Sequence, residues 1–398
     1  MNQHNIFIYS NDDFFERSAG ATRVLYYAKA LANSNNKVYL TTCCAEAFND
    51  KDFEEVDENI FVHKQKSKVF HNPIKTYNYL KNLYSFAKQK GKATFIHYPS
   101  PLVVLETLSL FYLKGLKKQA VFFESNEVRM YSAAFHDSIS IKNIKYSLKK
   151  IVFKSSFFLM QALLYFYNGH ICISTAIEKY GHKFNKNTIR IPILTNPYKE
   201  LKNSTTKYIK QNAFNIGFSG SIALSKENLT SFIAVIAKIK EAGHNISFNL
   251  CGSANPKNKA LLDKAILNYN LQDTITYYGN LGEVEFNTFL SQQNLLVIPR
   301  GYTKQNKYGF STKLSDYLNH KKMILITDIS DNSLYIKDGI NGFIVPPNNE
   351  KAMFNKLLYI VENYTHLETK IAAEAYNTAK TDFYYMNYKD KLKSFLIS

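Results

Sequence analysis

Between two apolar runs, Asn294-Leu-Leu-Val-Ile-Pro299 and Met323-Ile-Leu-Ile-Thr327, the chain carries the segment Tyr308-Gly-Phe-Ser-Thr-Lys-Leu-Ser-Asp-Tyr-Leu-Asn319. The flanking runs read as buried strands. The segment reads as a loop ending at Gly309-Phe310, then a helix opening at Ser311-Thr312 with Lys313 in its first turn. Unpaired N–H groups at such a helix start, the positive end of its dipole and a lysine together suit a phosphate. Asp316 falls where it could take a ribose hydroxyl beside that phosphate. A capped crossover helix of any parallel sheet has the same pattern, and this segment alone does not separate the two.

A second cationic loop precedes it. Gly217-Phe-Ser-Gly-Ser-Ile-Ala-Leu-Ser-Lys226 ends a strand and leads into a helix beginning at Glu227. Gly220 removes side-chain bulk where a ligand would meet backbone, and Lys226 is placed to reach a diphosphate. Alone, this is equally a turn with one solvated lysine. With the 309–313 loop, both cations would flank one crevice at the carboxyl edge of a sheet.

The elements that must position these groups alternate along the whole chain. Strands are expected at 5–10, 37–43, 60–63, 93–98, 120–124, 170–174 and 188–193, with a helix from Arg23 to Asn33. After a polar, lysine-rich stretch from Tyr198 to Asn212 the series resumes. Strands fall near 214–219, 247–252, 274–279, 294–299, 323–327 and 342–346, with helices at 227–242, 256–268, 283–292, 311–320 and 350–362. Short apolar runs alternating with helices imply parallel sheets covered on both faces. The expected architecture is α/β, two tandem Rossmann-like domains at 1–196 and 197–383 with a ligand cleft between them. An amphipathic helix at 384–398 would pack back on the first domain. A dinucleotide fingerprint, Gly-x-Gly-x-x-Gly with an acid about twenty residues on, is missing from both halves, which argues against nicotinamide chemistry.

Composition narrows the partners. The 398 residues carry a net charge of +18, with 50 Lys and Arg against 32 Asp and Glu, which calls for nucleic acid, an anionic membrane or phosphorylated substrates. Cys43, Cys44, Cys172 and Cys251 lack metal-ligand spacing and suit reduced, buried thiols. The N-terminus opens on a strand without a leader pattern, and no run is apolar and long enough to span a bilayer.

The second half resembles the retaining glycosyltransferases with two Rossmann-like domains, GT-B fold, of the group often called family 4. The matching stretches are Ile216 to Ser221 with Lys226, Leu250-Cys-Gly252, Ile275 to Asn280, Leu295 to Pro299, Gly309 to Leu318 and Asp338-Gly-Ile-Asn-Gly-Phe-Ile-Val345. In the first half, Gly20-Ala-Thr-Arg-Val-Leu25 is similar to the family's first loop and helix, and Cys172 to Ile177 to its strand before the crossing. The resemblance implies a donor site built from Gly220, Ser221, Lys226, Gly252, Arg300, Gly309, Phe310, Ser311, Thr312, Lys313 and Asp316. The family's paired acids fall at Tyr308 and Asp316, so one acid is replaced. Its basic pair falls at Ser221 and Lys226, so Lys313 or Arg300 is expected to supply the missing cation. Asn126, in Phe122-Phe-Glu-Ser-Asn-Glu127, stands about where the family often has histidine, with Glu127 next. Asn126, Glu127 and Lys226 are therefore the candidate catalytic residues, and Gly20 and His97 the candidate acceptor contacts. His97 ends a strand, a position that structural histidines also occupy.

No acidic residue occurs from Ser138 to Ala176. On a helical wheel Lys142, Lys145, Lys149, Lys150 and Lys154 share one arc, and Ile141, Ile144, Leu148, Ile151, Val152 and Phe158 the other. Such a helix suits either an anionic bilayer or an ordinary core-facing position with a solvated lysine face.

The expectation from the sequence is a cytoplasmic, peripherally membrane-bound glycosyltransferase. It would take a sugar from a nucleotide-sugar donor to a hydroxyl of a glycan or lipid-linked glycan, in bacterial surface polysaccharide synthesis, with retention. No cofactor and no metal are expected, for want of an acidic cluster. Two rivals stand beside it: a non-hydrolysing sugar-nucleotide epimerase on the same fold, and a basic nucleic-acid-binding protein. No helix-turn-helix, zinc-finger or RNA-recognition signature supports the latter.

Overall fold

The computed structural model describes residues 4–10, 14, 19–65, 72–99, 103–131 and 144–397. The chain divides into two compact units, Met1–Leu194 with Tyr385–Ser398, and Thr195–Tyr384.

The first unit is built on an eight-stranded sheet. Its strands are β1 (His4–Ser10), β2 (Asn36–Thr42), β3 (Phe53–Asp57), β4 (Ile60–His63), β5 (Lys92–His97), β6 (Ala120–Ser125), β7 (His170–Cys172) and β8 (Thr188–Arg190). They lie in the order β3-β4-β2-β1-β5-β6-β7-β8. All pairs are parallel except β3 with β4, an antiparallel edge hairpin that the alternating pattern did not announce, since Phe53-Glu-Glu-Val-Asp57 is mostly charged. The helices are α1 (Ala19–Leu31), α2 (Pro73–Lys90), α3 (Val103–Leu108), α4 (Ile144–Leu163) and α5 (Thr175–Gly181). Helix α2 shows how local chemistry sets the bounds. The Asn72 side chain accepts from the N–H groups of Ile74 and Lys75, Pro73 takes the first position, and Gly91 at φ +103° ends the helix.

The abundance of Phe and Tyr finds its use in the sheet. Phe61, Tyr39, Phe7 and Phe95 are consecutive register partners across β4, β2, β1 and β5. Their rings stack at 5.1, 4.8 and 5.5 Å between centroids, and Phe53 and Phe86 close over them. Such pairs add about 0.5–1.5 kcal/mol each beyond burial. On the opposite face Val24, Tyr27 and Leu31 of α1 pack with Leu392 and Leu396 of the last helix of the chain, Lys389–Ile397. That helix is part of this unit: Phe395 packs on Phe122, and Tyr385 just before it stacks on Tyr26.

The second unit holds a six-stranded, all-parallel sheet in the order β11-β10-β9-β12-β13-β14. The strands are β9 (Phe214–Ser219), β10 (Ile246–Cys251), β11 (Ile275–Tyr277), β12 (Leu295–Ile298), β13 (Met323–Thr327) and β14 (Phe343–Val345). Helices α6 (Leu224–Glu227), α7 (Leu229–Glu241), α8 (Pro256–Asn268), α9 (Glu283–Gln292), α10 (Lys304–Tyr308), α11 (Lys313–Asn319), α12 (Asn332–Tyr335) and α13 (Glu350–Thr378) connect or cover them. The last runs well past the expected 362, because Ile371 and Ala375 extend its buried stripe. The final helix of the chain, named above, is α14. All four cysteines are buried free thiols.

Phe7 has zero exposure and touches both neighbours of its strand through ring faces. Replacing it with alanine should cost about 3–5 kcal/mol. Thermal unfolding of the full chain should show the transition of the first unit moved down by several degrees, with the second unit's transition unmoved.

Candidate functional site

The carboxyl ends of β9, β10 and β12 carry most of the residues singled out in the second half. After Ser219 the chain turns at Gly220, whose φ of +121° favours glycine. The Gly220 N–H bonds the Cys251 carbonyl at 2.9 Å, and the Ile222 N–H bonds that of Ser253 at 2.7 Å. The loops after β9 and β10 are thereby fastened backbone to backbone. Gly252, at φ +127°, makes this possible: a Cβ there would stand 2.1 Å from the Gly220 carbonyl oxygen. A Cβ on Gly220 would stand 2.4 Å from Cε of Lys313. The two glycines and the lysine form one contact, with Lys313 laid across bare backbone.

The charge in this contact is organised by a residue the sequence reading passed over. Glu227, 2 % exposed, accepts hydrogen bonds from Arg300 Nε (3.2 Å) and Nη2 (3.0 Å) and from Lys313 Nζ (2.9 Å). Burial alone would raise its carboxyl, but Arg300 and Lys313 outweigh that and hold it far below the usual carboxylate range. Lys313 feels the converse. Burial pulls its ammonium down to about 8 against the attraction of Glu227, with Arg300 and Lys226 pushing the same way as burial. Lys226, half-buried in α6, thus lies within electrostatic reach of Lys313. Its carbonyl accepts from the Asn306 amide at 2.8 Å, which also bonds the Gly301 carbonyl, so α10 and α6 are tied together. Glu227 follows Lys226 directly, and a buried acid there cannot be told by pattern from a solvated one.

The structure brings Gly220, Lys226, Gly252, Arg300 and Lys313 together, with corrections to their environment. Lys313 and Arg300 are not open cations waiting for an anion; each is already paired with Glu227. The helix expected to open at Ser311-Thr312 begins at Lys313, and the loop before it contains α10. Gly309 follows α10 with extended backbone and bonds its N–H to the Gln305 carbonyl. The Phe310 ring turns into the core against Tyr335 and Phe383, leaving only its backbone for a ligand. Ser311 is 2 % exposed, and its hydroxyl has no hydrogen-bond partner among the described residues. Thr312 and Asp316 are half-buried on the same segment, and Ser221 is exposed.

In the first unit the expectations divide. Asn126 is half-buried beyond β6 and its amide donates to the Tyr98 hydroxyl at 2.8 Å, so it is positioned rather than free. Glu127 beside it is exposed. His97 is corrected: it has zero exposure, stacks on Tyr9 at 5.0 Å and bonds the Tyr167 hydroxyl at 3.0 Å. Burial, with Arg129 adding to it, drops its imidazole to about 3, which leaves it neutral and enclosed instead of touching an acceptor. Gly20 belongs to the first turn of α1 and not to a loop. The buried Arg23 was likewise not legible as a framework residue from the sequence pattern. Its Nε meets Glu124 at 2.6 Å while Nη1 and Nη2 bond the carbonyls of Pro192 and Ile191, fixing α1 to β6 and to the segment after β8.

Comparison with known proteins agrees with this layout. Residues 202–378 match the family Glycosyl transferases group 1. That match lies within the second unit. The chain as a whole has the GT-B glycosyltransferase fold. Sucrose-phosphate synthase from Thermosynechococcus elongatus superimposes with a TM-score of 0.72 at 14% identity, covering 99% of this chain and 98% of that one. The catalytic domain of starch synthase IV from Arabidopsis thaliana, solved with ADP and acarbose, gives 0.69 at 11% identity over 99% of each. HepE from Anabaena, solved with UDP, gives 0.66 at 14% identity over 98% of each. Among curated protein sequences there is no match.

Removing the charge of Glu227 leaves two buried cations facing each other. Glu227→Gln should therefore destabilise the second unit by about 3–5 kcal/mol, seen as a drop of its thermal transition in the full chain. The carboxylate's contribution is present above the ordinary value of 4.5 and fades as pH falls below it. The gap between wild type and variant should accordingly narrow on the acid side; a gap constant from pH 7 to pH 3 would contradict the assignment.

Proposed function

We propose that this chain is a retaining, metal-independent glycosyltransferase that moves a sugar from a nucleotide-sugar donor to a hydroxyl of a glycan or lipid-linked glycan in bacterial surface polysaccharide synthesis. The observation that carries the reading is the cation cluster inside the second unit, at bare backbone. Lys226, Arg300 and Lys313 set three positive charges against the single carboxylate of Glu227. An excess of fixed positive charge beside Gly220 and the unpaired hydroxyl of Ser311 suits a diphosphate whose charge grows as the sugar leaves. Asp316 would take a ribose hydroxyl, and Ser221, Gly252, Gly309 and Thr312 would line the nucleotide.

In this reading the first unit binds the acceptor. The acceptor oxygen attacks the anomeric carbon, the bond from that carbon to the diphosphate breaks, and a leaving phosphate oxygen takes the acceptor proton. No strong protein base is then required, which accommodates Asn126, a residue that orients through its amide and Tyr98 but does not accept protons near neutrality. Glu127 would hold an acceptor hydroxyl. The fixed cations take the place that a divalent ion fills elsewhere, so EDTA should leave the rate unchanged.

Binding and turnover give the test. HepE was solved with UDP and the starch synthase with ADP, so UDP- and ADP-sugars head a thermal-shift panel with GDP- and CMP-sugars behind. One class should raise the melting point, and Lys226→Ala should abolish that rise without lowering the unliganded melting point. Lys313 loses its proton as pH rises through about 8, so the rise should shrink above that pH. Donor altered without any acceptor would instead point to the epimerase, and no rise with any nucleotide sugar would end the donor reading.

The membrane part rests on α4. Ile151, Val152, Phe158 and Leu159 are 47, 66, 68 and 49% exposed, so the apolar arc at its C-terminal half faces outward. Lys142 and Ile141 lie outside the described residues, as do the side chains of 144–150. Among the described residues no helix is long and apolar enough to cross a membrane. An apolar outer face in a stretch without acidic residues is what an interfacial helix presents to anionic lipid. Exchanging Phe158 and Leu159 for glutamate should reduce co-sedimentation with phosphatidylglycerol vesicles at least tenfold, with nucleotide-sugar binding intact. Undiminished sedimentation would remove the membrane from the proposal.

A further inference from the structure

Helix α4 has a second side. Phe157, Met160 and Leu164 are buried, and with Ile177 and Tyr180 of α5 they wall a pocket of about 500 Å³, part of it open to solvent. The pocket lies at the carboxyl end of β6, where Phe123 and Ser125 complete it, the edge at which parallel sheets receive ligands.

Its polarity is divided by element. Every charged wall residue comes from α3 or the segment after β6: Glu106, Glu127 and Arg129. Among the described residues, helices α4 and α5 contribute none. At the charged end the hydrogen bonding is incomplete. Glu106 is 1 % exposed, yet among the described residues its Oε1 has no hydrogen-bond partner, and neither has the buried Nη1 of Arg129. The nearest approach of the two side chains, Arg129 Nη2 to Glu106 Oε1, is 3.9 Å, too long for a hydrogen bond. Burial lifts the Glu106 carboxyl to about 7, with Arg129 opposing, so the Glu106–Arg129 pair is neutral or singly positive at physiological pH. A buried acceptor and a buried donor left side by side are costly unless a ligand completes them. A hydroxyl can donate to the one and accept from the other; a purely hydrocarbon occupant can do neither.

We infer that this pocket binds an amphiphile, its hydroxylated, sugar-like head on Glu106 and Arg129 and its hydrocarbon tail along α4 and α5. That the natural amphiphile is the acceptor of the transferase rests on the function proposed above; the binding itself does not. Glu127, which borders the pocket, would then stand next to the head.

The probe is octyl β-glucoside kept monomeric, titrated calorimetrically into the full chain, with methyl β-glucoside as the head alone. Octyl glucoside should bind saturably, one per chain, and methyl glucoside at least tenfold more weakly. Glu106→Leu, which keeps bulk and removes the acceptor, should weaken octyl glucoside at least tenfold. Because a buried substitution can unsettle the fold, Met130→Glu provides an independent arm: Met130 is 38 % exposed and on the pocket wall, and a charge there should weaken binding similarly. Phe158→Ser, on the outward face of α4, should leave the affinity unchanged. No saturable binding, equal affinity in Met130→Glu, or loss confined to Phe158→Ser would overturn the inference. The nucleotide-sugar thermal shift, run on the same variants, keeps the two readings apart. A lost donor shift with octyl glucoside still bound defeats the transferase and leaves the pocket; the reverse defeats the pocket alone.

Discussion

The Glu227 carboxylate, enclosed between Arg300 and Lys313, is the interaction on which the arrangement of the second unit's strand-end loops depends. Glu227 closes α6 beyond β9, Arg300 follows β12, and Lys313 opens α11, so a single acid ties three separate connections to one point. A buried anion with one cation would be a poor exchange for lost hydration. With two cations and three hydrogen bonds it becomes a stable, polarised node with positive charge left over. That surplus is what a phosphate would meet. The glycines complete the device: Gly220 lets the Lys313 stem lie on backbone, and Gly252 lets the second loop close on the first.

The first unit handles its buried charges in two contrasting ways. Arg23 is saturated, bonding a carboxylate and two carbonyls, and so acts as a rivet between α1, β6 and the segment after β8. Arg129 and Glu106 sit near the same strand edge but fail to close a hydrogen bond with each other. The first pattern is what stability selects, and the second is what a binding site tolerates, since unmet hydrogen-bonding capacity is disposed of by a ligand. Among the described residues both acids leave one buried oxygen unmet, Glu124 Oε2 and Glu106 Oε1; what sets the second pair apart is that Arg129 Nη1 is unmet as well and no hydrogen bond joins the two side chains.

How far the residues alone disclose this follows from what pattern can carry. Strands β9, β10, β12 and β13 were legible because each is a short apolar run buried on both faces, and the two-unit α/β architecture followed from their alternation with helices. Strand β3 was not, because an exposed edge strand carries Glu54, Glu55 and Asp57 and has no apolar face to announce it. Gly220, Lys226 and Lys313 were legible as types at fixed spacings after strands. Glu227 was not, because burial of an acid depends on Arg300, 73 positions on. His97 was misjudged for a related reason: strand-end position indicates the edge of a sheet, while Tyr9 and Tyr167, both remote in sequence, decide whether the ring is open or enclosed.

Helix α4 shows why two apolar faces on one helix are not redundant. A helix with apolar residues on two sides needs burial on both or a non-aqueous neighbour. The inward face, through Phe157 and Met160 with Leu164 just beyond the helix, closes the pocket; the outward one, through Val152, Phe158 and Leu159, is about half or more exposed. Leaving such residues in water costs about 1.5–3 kcal/mol apiece relative to burial, and a solvated lysine-rich face would avoid the cost altogether. The same twenty-residue element would therefore touch a lipid surface on one side and hold the tail of an amphiphile on the other. A tail leaving a bilayer for this pocket would exchange one apolar environment for another, so only the head would have to find new hydrogen-bond partners, and Glu106 Oε1 and Arg129 Nη1 are unpaired among the described residues.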